Sequence, residues 1–172
     1  RRNMGDIYFV DDSEYKNPET LALHGGNYRF DPVTSAVTFP IYRSTSFQFR
    51  DTENAANLFA LQEFGNIYSR IMNPTNDALE QRLAALEGGR AALSVSSGQA
   101  ATTFCLLNVA QDGDNIVSST DLYGGTVNLF NHTLSKQGIE IRYADPLDPA
   151  EFEKQIDDKT RAIYAETLPN PY

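Results

Sequence analysis

Apolar and polar positions follow two different rhythms along this chain. From Arg90 onward, short apolar runs alternate with longer amphipathic stretches. Ala91 to Ser96 is predicted as a strand, Gly98 to Ala110 as a helix, Ile116 to Ser119 as a strand and Thr126 to Lys136 as a helix closed by Gly138. Ile139 to Ala144 then reads as a strand, Ala150 to Ile156 as a helix and Arg161 to Ala165 as a strand. Strands that alternate with helices require crossover connections. The expected fold class is therefore α/β, a mainly parallel sheet with helices on both faces. Ligands bind such sheets beyond the carboxyl ends of the strands. Three turns fall there, at Ser96 to Gln99, Leu122 to Thr126 and Glu166 to Asn170. The pattern predicts one pocket, with Gly98, Tyr123 and Asn170 facing a common cavity.

Before Arg90 the pattern is weaker. Asp51-Thr52-Glu53-Asn54, followed by Ala55, Ala56, Leu58, Phe59 and Leu61, predicts a capped helix ended by Gly65. A second helix begins at Asn73-Pro74, carries Leu79, Leu83 and Leu86 along one stripe, and stops at Gly88-Gly89. The first fifty residues show little periodicity and end in the aromatic and β-branched stretch Phe39 to Phe47, which reads as an extended arm needing a surface to lie on. The chain is expected to divide into residues 1–65, an amino-terminal arm and first helix, and residues 66–172, the first part of an α/β domain. That domain ends on a strand with no covering helix behind it, so the chain reads as cut.

Fourteen Lys and Arg against 23 Asp and Glu give a net charge of -9 over 172 residues. This balance repels phosphodiester backbones and anionic bilayers, so neither nucleic acid nor membrane is an expected partner. No apolar run approaches the roughly 20 residues of a membrane helix, and no apolar signal core stands at the amino end; a cytoplasmic location is expected. Cys105 is the one cysteine, which rules out an internal disulfide, and its apolar neighbours predict a buried, inert thiol. His24 and His132 stand too far apart in sequence to suggest a metal site.

Four short blocks carry the candidate chemistry. Ser96-Ser97-Gly98-Gln99 joins a strand to a helix start, where free amides and the helix dipole favour an anion; it also reads as an ordinary Ser-capped turn. Tyr123, before Gly124-Gly125, can lay its ring on a flat heteroaromatic ligand or pack on the following helix. Arg70, two residues after Tyr68, can offer a guanidinium fork to a phosphate or simply sit in solvent. Glu166 and Asn170 end the last strand, as orienting groups or as a strand-end charge and a turn.

In this order, Tyr68-Ser69-Arg70-Ile71-Met72-Asn73-Pro74-Thr75, Ser96-Ser97-Gly98-Gln99-Ala100-Ala101, Leu122-Tyr123-Gly124-Gly125-Thr126 and Glu166-Thr167-Leu168-Pro169-Asn170-Pro171 resemble the cofactor pocket of the pyridoxal-phosphate enzymes of cysteine and methionine metabolism. The resemblance runs from about Thr20 to the end. It implies an incomplete aspartate-aminotransferase-like large domain (fold type I) preceded by an extended arm, with pyridoxal 5'-phosphate as cofactor. It implies that the amides of Gly98 and Gln99 hold the cofactor phosphate, that Tyr123 stacks on the ring and exchanges a proton with the departing group, and that Asn170 binds the phenolic oxygen while Glu166 supports the ring. Tyr68 and Arg70 would serve the cofactor of a neighbouring subunit, so the family implies a homo-oligomer, a dimer of dimers. The Schiff-base lysine would lie beyond Tyr172, and this segment alone is expected to be inactive.

Residues 21–26 and 54–68 look most like the O-acetylhomoserine sulfhydrylases, which implies an amino-acid substrate and sulfide, with homocysteine and acetate as products. Two other readings stay open. One keeps the cofactor and performs cystathionine synthesis or γ-elimination of cystathionine or methionine; the other is a non-catalytic remnant that binds a ligand or a partner.

Overall fold

The computed structural model of the chain describes residues 17–26, 28 and 30–170. Residues 1–16 of the expected arm, with Pro171 and Tyr172, lie outside them. The chain forms two compact units that divide between Ser94 and Val95. Residues 66–94, expected with the α/β domain, thus group with the residues before them.

In the first unit, Asn17 caps helix α1, Pro18–His24, by accepting a hydrogen bond from Glu19 N on its side-chain oxygen. This helix falls inside the expected arm. Its start carries the same Asn-Pro signature as Asn73-Pro74, a cap followed by a first residue with φ already set. Helix α2, Thr52–Phe59, is capped by Asp51 and stops at Ala60, short of the expected Gly65. Helix α3, Pro74–Glu87, starts at Asn73 and ends on left-handed Gly88, as the sequence predicts. Its buried residues are Pro74, Ala78 and Ala84, whereas Leu79, Leu83 and Leu86 are half exposed. The leucine stripe is not its core face. Small residues cover that face instead, and α1 packs on α3.

The stretch from Phe39 to Phe47 does find a surface. Tyr42 N donates to Thr75 Oγ1 at 2.8 Å, Asn73 Nδ2 donates to Tyr42 O at 3.0 Å, and Phe39 meets Tyr28 edge-on at 4.4 Å between ring centroids. Ser46 and Tyr68 form an antiparallel bridge, flanked by Phe47 N to Ile67 O and Ser69 N to Thr45 O.

The expected strand Ala91 to Ser96 is absent. Its residues pair with no strand among those described, and Ser94 N and Oγ both donate to Glu80 Oε1 instead. Apolar composition favours a strand only where a neighbouring ladder takes up the backbone, and the three described strands pair with one another rather than with this segment.

The second unit opens with helix α4, Gly98–Leu107. Strand β1, Asn115–Ser119, follows, then helix α5, Gly124–Asn128. A π-helical turn, Leu129–Leu134, and a short 3₁₀ turn continue α5 to left-handed Gly138, where a regular helix is expected. Ser135 Oγ takes up the carbonyl of Asn131 inside that wide turn. Strand β2, Glu140–Ala144, helix α6, Pro149–Gln155, and strand β3, Thr160–Tyr164, complete the unit. The sheet is parallel in the order β2-β1-β3. All five residues of β1 are buried. Ile116, in register with Ile141 and Ala162, faces a core built from Leu106, Ala110, Leu122, Phe130, Leu134 and Ile139. On the opposite face Val117 is in register with Arg142, whose Nη1 donates to Gln155 O at the end of α6. Helices therefore cover both faces, as the alternating pattern predicts.

Cys105 is exposed rather than buried. On α4 only Leu106 reaches the core, so the thiol rides on the outer face among Phe104 and Leu107. No helix of the described residues is long and apolar enough to cross a membrane.

Phe130 is fully buried and meets Tyr164 edge-on at 5.1 Å between ring centroids. Phe130→Ala is expected to lower the unfolding free energy in urea by about 3–5 kcal/mol, because the removed ring leaves a cavity that the sheet cannot fill.

Arg142 also donates to Asp157 at 2.8 Å and to Glu140 at 2.9 Å. The bond from Arg142, with one from Asn115, holds the Asp157 carboxyl well below the usual carboxylate range, and the Glu140 and Asp157 carboxylates raise the guanidinium further above its ordinary value. A depressed carboxyl contributes stability that is fully present above its unfolded pKa, about 3.9, and is lost as pH falls through the folded value. The stability gap between the native chain and Asp157→Asn is therefore expected to be constant above about pH 5 and to shrink progressively below it, measured by urea titration at each pH.

Candidate functional site

Parallel strands deliver their carboxyl ends to one edge of the sheet, and two turns of the second unit meet there. Beyond β1, Asp121 N donates to Ser119 Oγ at 3.0 Å, and buried Leu122 anchors the turn into the core. Tyr123 then starts α5 without a side-chain cap. It is 52% exposed, and its ring lies over Gly125, where an added Cβ would come within 2.4 Å of the ring Cε1. Glycine at 125 thus sets the tilt of an aromatic face that is open to a ligand.

Helix α4 starts at Ser97, which is extended and accepts from Ala100 N on Oγ at 3.1 Å and from Ala101 N on its carbonyl at 3.0 Å. The amides of Gly98 and Gln99 come before these and have no acceptor within the helix. A Cβ built on Gly98 meets nothing within 4 Å, so open space adjoins those amides. The Gln99 side chain runs to α5, where Nε2 donates to Thr126 Oγ1 at 3.3 Å.

Beyond β3, Glu166 gathers the turns. One carboxylate oxygen accepts from Tyr123 N at 2.7 Å; the other accepts from Thr126 Oγ1 at 2.7 Å and from Tyr164 Oη at 3.3 Å. Gln99, Tyr123 and Glu166, named from sequence, are thereby linked through Thr126, with Gly98 beside Gln99. Asn170 is exposed and stands outside this network. Thr126 and Tyr164 were not legible as site residues. Thr126 sits inside the Tyr-Gly-Gly-Thr block, but only its burial and its bond to a carboxylate 40 residues away give it a role.

Tyr68 and Arg70 belong to the first unit and lie together, the guanidinium carbon 5.9 Å from the Tyr68 ring centroid. Arg70 is exposed and lines a cleft of about 450 Å³ with Tyr28, Ser69, Asn73, Asn76 and Asp77. Among the described residues no cluster of three or more His, Cys, Asp or Glu side chains is placed to hold a metal ion.

The site of the second unit can receive an anion on open helix-terminal amides and a flat ring against Tyr123. That donor set fits a phosphorylated planar heterocycle such as pyridoxal phosphate.

Comparison with known proteins gives the same chemistry. Residues 19–172 match the family described as Cys/Met metabolism PLP-dependent enzyme. The O-acetyl-L-homoserine sulfhydrylase of Leptospira meyeri is 56% identical over 154 residues, covering 90% of this chain and 35% of that protein. O-acetyl-L-homoserine sulfhydrylase 1 of Thermus thermophilus is also 56% identical, over 89% of this chain and 36% of its own length. Among solved structures, a putative O-acetylhomoserine (thiol)-lyase of Campylobacter jejuni that carries a pyridoxyl-lysine phosphate superposes with a TM-score of 0.83 at 50% identity, over 90% of this chain and 38% of that one. Cystathionine gamma-lyase of Lactobacillus plantarum, complexed with L-serine, gives 0.79 at 34% identity over the same shares. The chain thus spans little more than a third of the relatives it matches. With the family match running through nearly all of its length and the turns assembled as described, the chain belongs to the pyridoxal-phosphate-dependent enzymes of cysteine and methionine metabolism.

Proposed function

We propose that this chain is the amino-terminal part of an O-acetylhomoserine sulfhydrylase, which exchanges the acetate of O-acetylhomoserine for sulfide and releases homocysteine. The observation that carries this reading is the 56% identity to two such sulfhydrylases, against 34% to the cystathionine gamma-lyase.

Pyridoxal phosphate, when bound, supplies the electron sink that lets protons leave carbon next to the amino group. The chain's own residues provide its seat. The Gly98 and Gln99 amides take the phosphate at the start of α4, where the helix dipole favours negative charge. Tyr123 lays its exposed ring on the heterocycle, and its hydroxyl moves a proton to or from the departing group. Glu166 fixes the turn that carries Tyr123, and Asn170 donates to the phenolic oxygen. Tyr68 and Arg70 serve the phosphate of a neighbouring subunit, so the active unit is a homo-oligomer, a dimer of dimers, working in the cytoplasm. The lysine that anchors the cofactor lies outside these residues, and the segment alone turns nothing over.

For the full-length protein, O-acetylhomoserine with sulfide is expected to yield homocysteine and acetate in equal amounts. Cysteine, cystathionine or methionine alone is expected to yield no keto acid. Keto-acid release without homocysteine synthesis would replace this reading with a γ-lyase, and homocysteine formation only from cystathionine would also overturn it.

In the same protein, Tyr123→Ala is expected to weaken retention of pyridoxal phosphate by about tenfold, near the energy of one aromatic stack with its burial. Tyr123→Phe is expected to keep that affinity and lower kcat. Equilibrium dialysis and steady-state assays of the two variants separate the ring from its hydroxyl.

A further inference from the structure

Thr126 occupies the centre of the site's hydrogen bonds. It is 1% exposed, the third residue of α5, and its hydroxyl is used in both directions. It donates to Glu166 at 2.7 Å and accepts from Gln99 Nε2 at 3.3 Å. Glu166 in turn accepts the backbone amide of Tyr123 at 2.7 Å. One unbroken chain of bonds therefore runs from the first turn of α4 to Tyr123, the residue that precedes α5, through a single buried hydroxyl.

A phosphorylated ring has a fixed separation between its phosphate and its flat face. A protein that grips both ends needs two half-sites held at that same separation, or it loses binding free energy each time it orders them. Here the phosphate half-site is the Gly98 and Gln99 amides and the ring half-site is the face of Tyr123. The link through Thr126 spans the two. We propose that Thr126 is a positioning residue that sets the spacing between the amides of α4 and the ring of Tyr123, and so makes two weak half-sites act as one seat for pyridoxal phosphate. This inference rests on the cofactor reading above. A spacer of this kind raises affinity for the bridging ligand without raising affinity for either fragment.

The test uses the full-length protein stripped of cofactor, with Thr126→Val, Thr126→Ser and, as a control, Thr133→Val, whose hydroxyl is on an exposed residue of the π-helical turn. Valine keeps the shape of threonine and removes both bonds; serine keeps them. Equilibrium dialysis measures the affinity for pyridoxal phosphate, and competition against it measures inorganic phosphate and unphosphorylated pyridoxal. Thr126→Val is expected to weaken pyridoxal phosphate by about tenfold while changing either fragment by less than about twofold, with Thr126→Ser and Thr133→Val close to the native protein. Equal losses for the whole ligand and for inorganic phosphate would overturn the proposal, since the variant would then merely damage the start of α4. Native affinity in Thr126→Val, with only a lowered unfolding midpoint, would overturn it as well. Failure of the native protein to bind pyridoxal phosphate would instead remove the cofactor reading on which it stands.

Discussion

A single carboxylate holds this site in shape. Glu166 stands just past the end of β3 and uses both oxygens, one on the Tyr123 amide and one on the Thr126 hydroxyl. Without an acceptor there, two donors at the start of α5 would be left without a partner, the Thr126 hydroxyl in the buried interior, and α5 would lose its tie to β3. The parallel topology makes this contact possible. Because β1 and β3 run in the same direction side by side, their ends reach the same edge, and one side chain can bridge the turns beyond them.

Support for that edge comes from an unusual central strand. β1 is buried along its whole length, yet three of its five residues are polar. Each finds a partner. Asn115 bonds Thr160 and Asp157, Ser118 bonds the carbonyl of Ser119, and Ser119 accepts the amide of Asp121. Buried polar groups satisfied in this way fix a register more sharply than apolar contacts do, because a shift of one residue would strand them. Asn115 and Ser119 tie the strand at its two ends, to β3 below and to the Tyr123 turn above.

Local signals were the legible part of the sequence. Asn73-Pro74, Gly88 and Gly138 marked boundaries that the backbone obeys, since a cap or a left-handed glycine acts within one turn. The alternation of strands and helices after Ser97 was readable as a parallel sheet because each short apolar run is bounded by its own turn residues. Signals that depend on distant partners were not legible. Ala91 to Ser96 has a strand's composition but no neighbouring strand among the described residues, and Leu79, Leu83 and Leu86 have a core stripe's spacing but lie half open. Cys105 looked buried because its neighbours are apolar, while only Leu106 of that group turns inward. In the candidate site, Tyr123 and Gln99 stood out through their turns. Thr126 did not, because its role is defined by a residue far along the chain.

That separation has a consequence for how the protein is made. Glu166 follows the amide of Tyr123 by 43 residues. A ribosome adds about 5–20 residues each second, so the Tyr123 turn waits roughly two to nine seconds for the side chain that secures it. During this interval the start of α5 lacks that tie in the nascent chain. The proposed seat for the cofactor is among the last features this part of the polypeptide acquires as it is born.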